Sequence, residues 1–192
     1  PSASMLEEAT ISVTIPYMSI YNNLVMFDNA KPHESGDTIV PDLAESWSWD
    51  DTKTKLTFKL RQGVKWHDGK PFTAKDVQCT WNMLIGKANN EGFRKNPRAI
   101  WYFNLNEVTT NGDYEATFNL KAPQPALPLL LASGYSAVYP CHVSPRDMRT
   151  KPIGTGPFKF VEYKRGESIK LVKNADYFKK GRPYLDAIEF KI

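Results

Sequence analysis

His67 and Asp68 stand side by side in residues 60–77, LRQGVKWHDGKPFTAKDV, and a histidine next to a carboxylate is the pairing that a general base and its orienting group would use. Adjacency argues against that chemistry. On an extended backbone neighbouring side chains point to opposite faces, so these two cannot readily hydrogen-bond to each other. The Asp68-Gly69 pair instead supplies the left-handed backbone of a tight turn. The other candidates are sparse. His33 stands in a loop, and His142 follows Cys141 with no second pair at metal-ligand spacing. Cys79 and Cys141 are the only 2 cysteines; they permit one disulfide without implying it, and Cys79 falls in a predicted helix as a small core residue. The run GTGPF, residues 154–158, is too short for a dinucleotide fingerprint, and Pro157 removes an N–H where a phosphate cradle needs donors. It reads as a kinked crossing between structural layers. No GxSxG elbow, phosphate-binding glycine loop or HExxH occurs. The expectation is a protein with no catalytic residue, no metal and no cofactor.

The elements around these residues are those of a mixed α/β domain. The 192 residues are 41% hydrophobic and 24% charged, enough for a sizeable core. The net charge of +4 comes from interleaved signs, so no nucleic-acid partner is expected. The richest apolar run, ALPLLLAS, is short and contains Pro128, so no membrane-spanning segment is expected either. Near the start, Tyr17, Ile20, Leu24 and Phe27 share one helical face, with Pro16 in a tolerated first turn. Alternation in AESWSW and LTFKL predicts two strands around Asp50-Asp51, with Trp47, Trp49 and Trp66 in the core. Thr73 with Asp76 three residues on predicts a capping box, opening a helix whose apolar stripe is Val77, Trp81, Leu84 and Ile85. A polar linker over 86–98 follows. The stretches IWYFNLNEVTT and YEATFNLK flank Asn111-Gly112 as a hairpin, with Tyr114, Ala116, Phe118 and Leu120 facing inward. A short Pro-started helix in APQPALPLLLAS, residues 122–133, an irregular crossing, a hairpin over FKFVEY and IKLVKN, and a final strand on Ile188, Phe190 and Ile192 complete the pattern. That last strand suggests a longer polypeptide cut at this point.

Three ordered blocks carry a resemblance. They are IVPDLAESWSWDDTKTKLTFKLRQGVKWHDGKPFTAKDV, PIGTGPFKFVEYKRGESIKLVKNADYF and GRPYLDAIEFKI. From about residue 21 onward the chain resembles the family 5 extracellular solute-binding proteins, the peptide, dipeptide and nickel class serving ABC importers. The resemblance implies a periplasmic-binding-protein-like fold and a three-domain clam, of which residues 1–28 and 146–192 would be first-domain segments. Residues 29–145 would be the inserted second domain, and the third, ligand-closing domain would be absent from this chain. It also implies capture of a peptide or other small-molecule solute in an interdomain cleft, delivery to ABC transporter permease subunits, and a periplasmic or extracellular location, with no chemistry performed. By similarity, Tyr17, Trp101 and Tyr102 are the expected ligand contacts, against the ordinary tendency of such aromatics to be core. A ligand-sensing domain of a cytoplasmic transcription regulator is the alternative reading, and a glycosidase cleft a third.

Overall fold

The computed structural model describes residues 2–88 and 93–192. Three antiparallel sheets organise them. The largest has four strands in the order β3 (Ala44–Trp49), β4 (Lys55–Leu60), β6 (Glu115–Leu120), β5 (Leu105–Thr110). Period-2 patterning decides its faces: Leu56, Phe58 and Leu60 of β4 and Ala116, Phe118 and Leu120 of β6 are buried. On the other face Thr57 and Thr117 share a 2.9 Å hydrogen bond. Helix α2 (Ala74–Leu84) lies on the buried face, where the Trp81 ring meets Phe118 edge-on at 4.8 Å and Phe118 meets Phe58 at 5.5 Å. The capping box forms as the sequence predicts, with the Thr73 N–H donating to Asp76 Oδ2 at 2.9 Å. Asp76 does more than cap. Its carboxylate also accepts from the Trp66 indole at 3.3 Å and from the Cys141 N–H at 2.9 Å, so three segments converge on one buried anion.

The second sheet is β7 (Phe158–Lys164), β8 (Ser168–Lys173), β9 (Ala187–Lys191). A two-stranded ribbon joins β1 (Val25–Phe27) to β2 (Ile39–Pro41), so the 28/29 position at which the resemblance divides two domains falls beside a paired strand. Short helices α1 (Ile11–Met18), α3 (Leu127–Ala132) and α4 (Pro145–Met148) connect these layers over one continuous apolar core.

Several expectations are corrected. The helix predicted through Phe27 ends at Met18, and Val25–Phe27 is strand β1. Pro16 lies inside α1 rather than in its first turn, and having no N–H to continue the ladder it is followed by the helix end two residues later. The IWYF stretch is a 3₁₀ turn, Ala99–Tyr102, rather than strand, which leaves Ile100 and Phe103 each 72% exposed. Tyr114 is only partly buried, while its partners Ala116 and Phe118 are fully so. Within the predicted polar linker, residues 89–92 lie outside the described residues, and Arg98 is completely buried. The pairing that the two cysteines permit without implying is made: Cys79 is joined to Cys141 in a disulfide with a Cα–Cα distance of 5.9 Å.

Candidate functional site

The His67-Asp68 pair is split as the strand geometry requires. The His67 N–H donates to Gly154 O at 2.9 Å, and its ring clasps the same loop from both nitrogens. Nδ1 accepts from the Gly154 N–H at 3.3 Å and Nε2 donates to Gly156 O at 2.9 Å, which fixes one neutral tautomer. Burial, aided by Lys159, pushes the imidazole down to about 4, against the opposing pull of the Gly156 carbonyl. Asp68 turns the other way and holds His142 Nε2 at 2.7 Å. Neither histidine addresses a nucleophile, and no group of three His, Cys, Asp or Glu side chains could hold a metal among the described residues.

Two surfaces remain. The first is a groove of about 670 Å³ between β7 and residues 149–153, floored by Tyr17, Phe160 and Tyr163. The second surrounds Arg98. Its guanidinium donates to the Tyr135 carbonyl and, at 2.6 Å, to the Glu8 carbonyl. Its Cζ lies 5.0 Å from the Tyr135 ring centre and 6.0 Å from that of Trp101, and the two rings meet edge to face at 5.6 Å. Both rings are partly exposed, so the charge sits one aromatic layer beneath the surface. Helix α1 begins three residues after Glu8, and its faces divide the two surfaces: Ile11 and Ile15, one turn apart, are 57% and 48% exposed, whereas Tyr17 is buried and packs toward Phe160 at 6.4 Å.

Of the three aromatic residues the sequence singles out, Trp101 alone has an exposed face. Tyr17 is a packing residue lining the groove, its hydroxyl raised to about 12 by burial. Tyr102 is buried, donating or accepting with Ser136 Oγ at 2.9 Å and packing on Trp81, because successive residues of a 3₁₀ turn point in different directions. The structure does not bring these three together. Sequence reasoning missed Arg98 and Tyr135. The Arg98 signal was its spacing three residues before Trp101 in a segment taken as polar; Tyr135 carries no local signal at all.

The family described as bacterial extracellular solute-binding proteins, family 5, matches residues 38–192. The chain belongs to this family of solute-binding proteins. The oligopeptide-binding protein AppA of Bacillus subtilis is 39% identical over 160 residues, which are 78% of this chain and 28% of that protein. A di/tripeptide-binding protein of Pseudomonas aeruginosa is 32% identical over 91% of this chain and 36% of its own length. The solved AppA structure, in complex with a nonapeptide, superposes with a TM-score of 0.82 over 98% of this chain and 37% of that one, at 34% identity. The binding protein AgaA from A. tumefaciens, in complex with agropinic acid, gives 0.85 over 99% of this chain and 37% of that one, at 27% identity. The family 5 chain described here thus spans about a third of the length of these relatives, and its periplasmic-binding-protein-like fold extends over nearly all of its residues. Family members are solute-binding proteins, not enzymes. No helix among the described residues is long and apolar enough to cross a membrane.

Proposed function

We propose that this chain is part of the substrate-binding component of an ABC importer, which captures a peptide or similar small solute in an interdomain cleft and presents it to the permease subunits. The observation that supports this most directly is its superposition, nearly end to end, on binding proteins solved with a nonapeptide and with agropinic acid. In this reading residues 1–28 and 146–192 are first-domain segments, residues 29–145 form the second domain, and a further lobe closes on the solute. Trp101 is the contact residue, backed by Tyr135 and Arg98, on a 3₁₀ turn that also leaves Ile100 and Phe103 uncovered. The protein does no bond-breaking chemistry in this reading: His67 and His142 serve as clasps and the most buried carboxylates as caps and ties. The disulfide supports residence in the periplasm or outside the cell, where such bonds persist. None of the relatives named above is described as a regulator, so the sensing-domain alternative gains no support.

A thermal-shift screen with a randomised tripeptide pool, opines and sugars tests this reading. A ligand at a hundred times its Kd stabilises by about 2.7 kcal/mol and moves the melting temperature by several degrees. Silence across all three classes would overturn it.

A further inference from the structure

The groove of about 670 Å³ beside β7 has no part in the functional reading above, and two unbroken runs of residues line it, 149–153 and 159–163. Side chains of a strand alternate between its two faces, so five consecutive strand residues line one groove only where the groove follows the strand's edge. β7 is an outer strand of its sheet. Its free edge starts out paired, with the Gly156 N–H donating to Ile20 O at 2.8 Å and the Phe158 N–H to Ser19 O at 3.1 Å. From Phe160 to Tyr163 no backbone bond reaches that edge among the described residues, so open strand donors and acceptors wall the groove. The floor is aromatic: the Tyr17 and Phe160 rings lie 6.4 Å apart, and Tyr163 completes it. Charge decides what fits. The acids along the groove are already engaged, Asp68 with His142 at 2.7 Å and Glu162 with Lys170 at 3.0 Å, and Arg149 is engaged with Glu7 at 2.7 Å. Lys151 and Lys159 remain, one on each wall, and neither has a carboxylate within ion-pair distance among the described residues. A second copy of this chain laid along the same edge would bring its own lysines there, like against like.

We infer that this groove is a docking site for an extended, acidic segment of another protein, which adds as a fourth strand along β7 while its carboxylates meet Lys151 and Lys159. Backbone pairing along the strand supplies affinity, the aromatic floor takes alternate side chains, and the two lysines select acidic sequences over basic ones. The inference stands without the solute-capture reading, because Trp101 and its neighbours do not line the groove.

The probe is an end-blocked, fluorescein-labelled hexapeptide of alternating valine and glutamate, read by anisotropy beside its valine–lysine counterpart. Wild type is expected to bind the acidic probe about tenfold more tightly at low ionic strength, with the gap narrowing as salt is added. Lys151→Glu with Lys159→Glu abolishes or inverts that preference, and Lys151→Gln with Lys159→Gln falls between. Melting temperatures show that each variant is folded, and the acid-to-base ratio within each protein cancels any shared loss of affinity. Two further analogues carry N-methyl groups on the valines or on the glutamates. Because a strand's N–H groups point alternately to its two edges, at least one analogue loses the pairing bonds and binds about tenfold more weakly. If both bind like the parent, strand addition is wrong. An acidic probe bound no better than the basic one, or bound equally after charge reversal, defeats the assignment. So does binding of neither probe, which would make Lys159 and the bulge between Phe160 and Glu162 guards of the edge. Sedimentation velocity of the protein alone closes the last route: a dimer that the charge reversal alters would make a second copy the occupant, and the inference would fall.

Discussion

The imidazole of His67 is held by two glycine backbones, one donating to Nδ1 and the other accepting from Nε2, and protonation would set a ring N–H against the Gly154 N–H. The consequence for acid stability has a definite sign. With the folded value depressed to about 4 from an ordinary 6.5, the unfolded chain binds the proton first as pH falls. The stability contributed by neutral His67 is therefore complete above pH 6.5 and is lost between 6.5 and 4. Asp68, Asp50, Glu162 and Glu189 are all held below their ordinary values, so their contributions disappear at lower pH still. Urea midpoints measured from pH 7 to 4.5 should fall steadily in wild type and be flatter in His67→Gln, which preserves a donor toward Gly156. A wild-type profile flat across that window would contradict this account. The sequence revealed that His67 and Asp68 could not act as a pair, because neighbours on a strand diverge. It could not reveal the glycine clasp, whose partners lie 87 and 89 residues away in the chain.

At the scale of elements, the crossing at residues 154–156 shows why a sequence can announce a kink without giving its cause. Gly156 donates to the Ile20 carbonyl at 2.8 Å, and a Cβ placed on Gly154 would stand 1.9 Å from that same oxygen. Backbone runs against backbone here, so nothing flexible can yield. Gly154→Ala should cost several kcal/mol, toward the upper end of single substitutions, whereas Gly36→Ala, with open space around it, should stay within about 0.5 kcal/mol. Chemical denaturation of the two variants decides the point, and a near-neutral Gly154→Ala would mean the loop is free to move off Ile20. Elements whose signals are local were legible beforehand: the Thr73–Asp76 box, the Asn111-Gly112 hairpin and the hairpin of β7 and β8 are all present. Those that depend on distant partners were not. Val25–Phe27 has apolar residues at helical spacing, yet it is a strand because Ile39–Pro41 lies beside it. Likewise the exposed face of Ile100 and Phe103 follows from a 3₁₀ turn that period-2 reading of IWYF cannot anticipate.

Across the molecule, long-range ties converge on the crossing segment. The disulfide joins α2 to residue 141 across 62 positions, while the Cys141 N–H reaches Asp76 and Asp68, in its tight turn, holds His142. A loop of that length constrains the unfolded chain by about 4 kcal/mol in the entropic account, with measured values for such bonds usually nearer 2–4. Reduction, or Cys79→Ser with Cys141→Ser, should lower unfolding free energy by that amount without altering the far-ultraviolet circular dichroism at 25 °C. A variant as stable as wild type would show that the surrounding hydrogen bonds suffice alone. The family could be recognised from ordered motif blocks because those blocks shape turns and core. The Arg98 surface escaped notice, since a buried arginine and two surface rings are brought together only by the folded chain. One practical result concerns light. Of the 5 tryptophans, Trp66 and Trp81 are sealed in the core, Trp47 and Trp49 are half-buried on β3, and Trp101 is the indole that the proposed function sets against the solute. With the other four changed to phenylalanine or tyrosine, its emission should, on the proposed function, serve as a built-in optical gauge of cleft occupancy, readable in real time with no dye attached.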